Sequence, residues 1–178
     1  REQWHGQKMI GLLLPPSVAA AAANVAVLLA GKIPVNLNYT VSQSVLESCI
    51  SQCQITTVLT SKEFLEKVKL QAPSGSVWME DLKQQKTIGR TLVALLQSLF
   101  LPAGLSQRLL GAHSSKSVDE LATIIFSSGS TGDPKGVMLS HHNIYSNLDG
   151  MAQVFAISGQ DRILGVLPFF HSFGFTGT

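Results

Sequence analysis

Short apolar segments typical of strands alternate with helix-like segments along this chain, and this alternation constrains its fold more than any other feature. Met9 to Leu14, Ile33 to Asn36 and Thr56 to Thr60 are apolar or β-branched, and a weaker strand is predicted at Val77 to Met79. Strands and helices in this order form α/β folds with a largely parallel sheet flanked by helices. We therefore predict a layered α/β architecture.

Hydroxyl side chains predict where the first helices begin. Ser17 precedes an alanine-rich helix that we expect to reach Ala30, with Gly31 as its stop. This helix is about 13 residues long, short of the roughly 20 that span a bilayer, so it is predicted to lie buried on the sheet. Thr40 with Gln43, and Thr60 with Glu63, have the spacing of a capping box and predict the next two helix starts.

The last third of the chain repeats the strand and helix pattern. Ala122 to Phe126 is predicted to be a strand, with Val137 to Leu139 as its hairpin partner. Ser140 is expected to cap a helix from His141 or His142 to about Phe155. Ile163 to Leu167 is predicted as the closing strand.

Between these parts lies an amphipathic stretch from Thr91 to Leu101. Its apolar side chains recur at helical spacing: Leu92, Leu95, Leu96, Leu99 and Phe100. The pattern favours a helix that faces the core. The alternative is an interfacial helix, within residues 91–110, that contacts lipid or lines the entrance for a long acyl chain.

Composition narrows the function classes. The net charge is +2 and no basic cluster with interleaved aromatic residues is present, which argues against nucleic-acid binding. Only 13% of the residues are charged, against about 25% in an average soluble domain. Either a larger parent protein covers part of the apolar surface, or the chain works against a membrane. The first residue is Arg1 and the last Thr178, so we expect an excised piece; no targeting sequence is visible.

The two cysteines, Cys49 and Cys53, lie four residues apart on a predicted helix, on the same face as Leu46 and Ile50. A zinc site needs more ligands, and a disulfide at this spacing has poor geometry. Buried, reduced thiols are the better interpretation, and they suit a cytosolic compartment.

The chemistry is concentrated in the loop after the Ala122 strand. Its first six residues, Ser127 to Gly132, are all Ser, Gly or Thr, and Asp133, Pro134, Lys135 and Gly136 follow. Glycines let successive backbone N–H groups converge, and hydroxyls and a lysine add donors, so the loop suits a polyphosphate. It is neither a Walker A loop nor a dinucleotide-binding loop. A flexible linker is the alternative, but linkers do not usually join two apolar strands.

Two segments carry a family resemblance. Phe126 to Gly136 resembles the Ser/Thr/Gly-rich motif of the AMP-binding, adenylate-forming superfamily, which includes acyl-CoA synthetases, luciferases and peptide-synthetase adenylation domains. Leu167 to Gly174 resembles the family's Pro-x-x-His-x-x-Gly segment. Three further segments, Gly11 to Ser17, Gly31 to Thr40 and Leu164 to Phe175, look like the bacterial branch of 2-acylglycerophosphoethanolamine acyltransferases and acyl-[acyl-carrier-protein] synthetases.

The resemblance implies roles for individual residues. The residues that match the loop for the ATP β- and γ-phosphates are Ser127, Ser128, Gly129, Ser130, Thr131, Gly132 and Lys135. His171 matches a histidine beside the acyl-adenylate, although by itself a histidine among phenylalanines would more often be a packed core residue. The implied cofactors are ATP and Mg²⁺. The family's acidic magnesium ligand, ribose-binding Asp, hinge and C-terminal lysine would lie beyond Thr178, so we expect no acyl-AMP from the isolated chain.

The resemblance also implies an organisation and a set of partners. Residues 1–178 would form an incomplete N-terminal domain: a first α/β half (1–80), an amphipathic helical insertion (81–118) and a segment with the phosphate loop and histidine motif (119–178). The expected partners are a fatty acid and an acceptor, either acyl carrier protein, CoA or a lysophospholipid. The expected location is the cytoplasm, at the inner face of the bacterial membrane if residues 91–110 contact lipid. The alternative functions are those of an acyl-CoA synthetase or other acid–thiol ligase, of a non-catalytic phosphate-binding module, and of a membrane-associating fragment.

Overall fold

The computed structural model describes residues 6–84, 89, 93, 97, 101–102, 105, 117–127 and 133–177. Strands and helices alternate along them, as the sequence predicts. The strands are β1 (Met9–Leu13), β2 (Ile33–Asn36), β3 (Val58–Thr60), β4 (Ser76–Trp78), β5 (Leu121–Ser127) and β6 (Lys135–Ser140). The helices are α1 (Val18–Leu29), α2 (Gln43–Gln52), α3 (Lys62–Val68), α4 (Met79–Gln84), α5 (His141–Phe155) and α6 (Ser172–Thr176).

The first four strands form one parallel sheet in the order β2-β1-β3-β4. Successive β1 side chains point to opposite faces, and each face has its own core. Ile10 and Leu12 pack with Ala23 and Val27 of α1, whereas Leu13 packs in a larger cluster that includes residues of α2 and α3. The predicted α/β fold, with helices flanking a parallel sheet, is confirmed.

A buried amide pair fixes α1 on this sheet. The Asn24 side chain donates to Oδ1 of Asn36 at 3.1 Å, and Asn36 donates back to Oδ1 of Asn24 at 2.8 Å. Paired in this way, two buried polar groups keep their hydrogen bonds. Only one face of α1 is buried, however, because Val18 and Val25 on the other face are exposed.

Strands β5 and β6 form an antiparallel hairpin, as predicted, with Phe126 opposite Gly136. Two of the described hydrogen bonds link this hairpin to the preceding α/β part, one to β2 and one to α2. The buried hydroxyl of Thr123 donates to the carbonyl oxygen of Pro34 at 2.8 Å. Nε2 of Gln52 donates to the carbonyl oxygen of Pro134 at 3.3 Å.

The structure corrects two of the predicted helix caps. α2 is capped by Ser42, not Thr40, because the Thr40 N–H and hydroxyl both donate to the side chain of Asn38 in the preceding turn. α3 is capped by Ser61, not Thr60, because β3 extends through Thr60 and its hydroxyl donates to the carbonyl oxygen of Leu13. The caps at Ser17 and Ser140 are confirmed, the latter with a full capping box.

The predicted strand at Ile163 to Leu167 is wrong. This segment is irregular, and Ile163, Leu164 and Val166 are more than half exposed. β-branched residues form a strand only where a neighbouring backbone accepts the ladder hydrogen bonds. Within this segment the Val166 N–H donates locally, to the Leu164 carbonyl oxygen at 3.0 Å.

The predicted amphipathic helix from Thr91 to Leu101 lies almost wholly outside the described residues. Val93 and Gln97, which are described, are helical, and the Leu101 N–H donates to the Gln97 carbonyl oxygen at 3.0 Å. Within the part of the chain that the structure describes, no helix is both long enough and apolar enough to cross a bilayer.

Candidate functional site

The β5–β6 hairpin holds the two ends of the predicted phosphate loop side by side. β5 is anchored by buried Ala122, Ile124 and Ile125, and it ends at exposed Ser127. Ser127 lies directly opposite Lys135, and its hydroxyl donates to the Lys135 carbonyl oxygen at 3.4 Å. The five loop residues between Ser127 and Asp133, namely Ser128, Gly129, Ser130, Thr131 and Gly132, lie outside the described residues.

The Lys135 side chain is exposed at the start of β6. Its backbone is held on both sides, because the residue before it, Pro134, is buried and Gly136 packs against the β5 side chains of Ile124 and Phe126. Among the described residues, the ion pair found is Lys67–Glu63 on α3, and Lys135 is not part of it. Its ammonium group can therefore donate charge-assisted hydrogen bonds to an anion that arrives from solvent.

His171 is exposed and precedes the first residue of α6. Its backbone N–H donates to the Pro168 carbonyl oxygen at 3.0 Å. Its ring lies 4.8 Å from that of Phe170, tilted by 39°. Phe170 is buried and His171 is not, so the interpretation of His171 as a packed core residue is wrong.

The turn that carries His171 requires a glycine. A Cβ at Gly174 would overlap the carbonyl oxygen of Pro168, the same oxygen that accepts from His171. The backbone of α6 can therefore approach Pro168 closely only if residue 174 has no side chain. The spacing Pro-x-x-His-x-x-Gly thus corresponds here to one tight turn.

A cleft of ≈ 450 Å³ opens beside this turn, between β6, α5 and α6. Its size is within the range of small-molecule pockets. Apolar and amide or hydroxyl side chains share its walls: Met138, Leu139, Asn143, Ile144, Asn147, Ser172, Phe173 and Thr176. The sequence does not predict this cleft, because its residues come from three elements and only the fold brings them together.

The structure thus brings some of the predicted site residues together. Ser127 and Lys135 are register partners in the hairpin. Lys135 begins β6, which also lines the cleft, and His171 immediately precedes the cleft residue Ser172. The cleft itself combines an apolar wall with amide and hydroxyl groups, which suits a ligand with an apolar and a polar part.

The described side chains do not form a metal site. No group of three or more His, Cys, Asp or Glu residues within the described ranges is arranged to hold a metal ion. Hard cations such as Mg²⁺ take oxygen ligands and are often held mainly by substrate phosphates. The residues described here therefore do not by themselves fit a dedicated Mg²⁺ site.

Comparison with known protein families decides the membership of the chain. Residues 4–178 match the family model described as AMP-binding enzyme. The chain belongs to this family. The motif resemblance at Phe126 to Gly136 and at Leu167 to Gly174 is consistent with that membership.

Individual members of the AMP-binding family match this chain over part of their length. A long-chain-fatty-acid–CoA ligase of Bacillus subtilis is 41% identical over 59 residues, which cover 32% of this chain and 10% of the ligase. A nonribosomal peptide synthetase of Cordyceps militaris is 28% identical over 158 residues, which cover 89% of this chain and 3% of the synthetase. The chain therefore spans only a small fraction of the curated relatives it matches.

Solved structures of adenylate-forming enzymes share the fold. The o-succinylbenzoate CoA synthetase of Bacillus subtilis, in complex with its acyl-adenylate intermediate, matches with a TM-score of 0.71 at 23% identity. The match covers 96% of this chain and 31% of that enzyme. A fatty acid AMP ligase from Legionella pneumophila matches with a TM-score of 0.68, also at 23% identity, over 96% of this chain and 27% of the ligase.

Proposed function

We propose that this chain is the phosphate-binding part of an enzyme that activates a fatty acid with ATP. A carboxylate oxygen of the acid attacks the α-phosphorus, the bond to pyrophosphate breaks, and an acyl-adenylate forms. The acyl group then passes to a carrier thiol or a lysophospholipid, and AMP leaves. The observation that carries the proposal is the β5–β6 hairpin, which pairs Ser127 with Lys135 at the two ends of the Ser/Gly/Thr loop.

In this proposal the loop holds the β- and γ-phosphates. The binding residues are Ser127, Ser128, Gly129, Ser130, Thr131, Gly132 and Lys135. Fixed N–H and O–H donors stabilise the charge that grows on the leaving pyrophosphate, and the Lys135 ammonium adds to this stabilisation. His171 is proposed to lie beside the acid, because its turn adjoins the partly apolar cleft.

ATP is the proposed cofactor, together with Mg²⁺, whose ligands would be the phosphates and groups other than the described side chains. One solved relative, the o-succinylbenzoate synthetase, is bound to ATP and magnesium. No step of the proposal depends on the metal.

We also propose that the chain is organised as three segments, residues 1–80, 81–118 and 119–178.

For the acyl acceptor, we propose acyl carrier protein or a lysophospholipid such as 2-acylglycerophosphoethanolamine. The alternative is CoA, and the B. subtilis relative named long-chain-fatty-acid–CoA ligase favours it. The enzyme that contains this chain can be given a labelled fatty acid, ATP and one acceptor at a time. The acceptor that becomes labelled distinguishes the three candidates. We propose a cytoplasmic enzyme, with any lipid contact made through residues 91–110.

Nucleotide titration of this chain tests the phosphate-binding step. We expect Lys135→Ala to weaken ATP binding about tenfold or more, since a hydrogen bond to a charged group contributes roughly 1.5–3 kcal/mol. Lys67→Ala is the matched control, because it removes the same charge from an exposed ion pair on α3. Equal ATP affinity in the two variants would contradict the proposed role of the loop.

A second measurement separates an enzyme from a non-catalytic nucleotide-binding module. Exchange of labelled pyrophosphate into ATP that depends on added fatty acid occurs only if acyl-adenylate forms reversibly. We expect this exchange in the enzyme that contains this chain, and its loss in the Lys135→Ala variant. ATP binding without exchange would favour the binding module.

A further inference from the structure

Four rings form a continuous series that ends at His171. Tyr39 lies 5.0 Å from Phe64 of α3 with the rings at 90°, and 5.0 Å from Phe170 with the rings at 87°. Phe170 in turn lies 4.8 Å from the His171 ring. Tyr39 follows β2 by three residues, so this series links the first sheet to the turn that carries the histidine.

The inner members of the series are firmly placed. Phe170 is only 6% exposed, and Tyr39 packs against the larger core cluster of the first sheet. Burial raises the pKa of Tyr39 above its usual value, because the charged phenolate is disfavoured in these surroundings. Edge-to-face contacts favour a particular angle as well as a particular distance, so they fix the orientation of Phe170.

The orientation of Phe170 affects His171 through the backbone. The His171 N–H binds the Pro168 carbonyl oxygen, and Gly174 packs against the same oxygen. Residues 168–174 therefore form one tight turn, and a change in the position of Phe170 moves the whole turn. His171 itself is exposed, and the ring contact described for its side chain is the one with Phe170.

We propose that Tyr39 is a positioning residue for His171 and acts through Phe170. This inference rests on the proposed function, in which His171 borders the fatty acid. Tyr39 touches neither substrate nor reacting atoms in this proposal. Its ring sets where the histidine stands relative to the cleft between β6, α5 and α6.

The imidazole NMR signals of His171 report its position without any need for activity. We expect Tyr39→Leu to shift these signals and Tyr39→Phe to leave them unchanged, since the phenylalanine ring preserves both edge-to-face contacts. Tyr145→Leu is the control, because Tyr145 is 69% exposed. Unchanged His171 signals in a folded Tyr39→Leu variant would overturn the proposal. If that variant does not fold, Phe64→Leu, which removes the other partner of Tyr39, decides in the same way.

Steady-state kinetics of the enzyme that contains this chain distinguish positioning from general destabilisation. We expect Tyr39→Leu to raise KM for the fatty acid about two- to tenfold, the size of effect that one aromatic pair supports. KM for ATP should stay unchanged, and Tyr39→Phe should behave like the parent enzyme. An equal rise in both KM values would overturn the proposal. If the parent enzyme shows no acid-dependent exchange, the proposed function fails, whereas the NMR experiment still tests the positioning.

Discussion

At the scale of single residues, a strict backbone requirement lies at Gly75, in the turn that leads into β4. Its φ is +74°, and a Cβ there would overlap the carbonyl oxygen of Thr56. We expect Gly75→Ala to lower the free energy of unfolding by about 3 kcal/mol, from left-handed strain together with the overlap. Urea denaturation measures the loss.

Gly150 provides the control for Gly75. It lies within α5, where an added Cβ meets nothing within 4 Å. Alanine is favoured over glycine in a helix by about 1 kcal/mol, so Gly150→Ala is expected to raise stability slightly. Similar urea midpoints for the two variants would contradict the geometry at Gly75.

The sequence could not show which of these glycines is indispensable. The overlap at Gly75 involves Thr56, and the one at Gly174 involves Pro168, and both depend on the folded path of the backbone. Likewise, the exposure of His171 follows from the turn that places Phe170 inside and the histidine outside. Residue identity suggested the chemistry of the site, whereas burial followed from tertiary contacts.

At the scale of elements, the caps of the short helices can be tested directly. Ser42 accepts from the Val45 N–H at the start of α2. We expect Ser42→Ala to cost about 1 kcal/mol of stability, the usual loss of an N-cap. Thr40→Ala should cost clearly less, since Thr40 is exposed and its described hydrogen bonds are to the local Asn38 side chain. If chemical denaturation shows a larger loss of stability for Thr40→Ala than for Ser42→Ala, Thr40 is the cap of α2, as the sequence predicts.

Elements were predictable where local pattern and tertiary contact agree. The strands from Met9 to Thr60 and the β5–β6 hairpin follow from apolar and β-branched segments bounded by polar turns. The cap at Thr60 failed because its hydroxyl donates to Leu13, 47 positions away in sequence. The strand at Ile163 to Leu167 failed because a strand also needs a neighbouring backbone, which residue preference does not reveal.

At the scale of the whole molecule, the two thiols report on the integrity of the core. Cys49 and Cys53 are free and buried in the larger core cluster, as predicted. The thiolate is the reactive form of cysteine, and burial in apolar surroundings suppresses it. We expect both thiols to react slowly with an aromatic disulfide reagent at pH 8, and quickly after unfolding in urea. Rapid reaction in the folded chain would show that this core opens readily.

The same cysteines couple the stability of the fold to pH. Burial, with a smaller contribution from neighbouring Cys53, raises the pKa of Cys49 from 9.0 to about 11. Between these values the unfolded chain has lost the thiol proton and the folded chain retains it, so the folded state binds more protons. The free energy of unfolding contributed by this thiol is therefore complete below pH 9 and declines as pH rises towards 11. Urea midpoints at pH 7.5, 9 and 10.5 should fall in that order.

Cys49→Ala separates this thiol from the other groups that titrate at high pH. Its absolute stability is expected to be lower at every pH, because truncating a buried side chain leaves a cavity. The informative quantity is the slope, since alanine has no proton to lose and the fall between pH 9 and 10.5 should become shallower. Cys53→Ala should keep part of the slope, because desolvation, the larger cause of the raised Cys49 pKa, remains. Identical slopes in the parent chain and Cys49→Ala would mean that the Cys49 thiol ionises as readily in the folded chain as in the unfolded one.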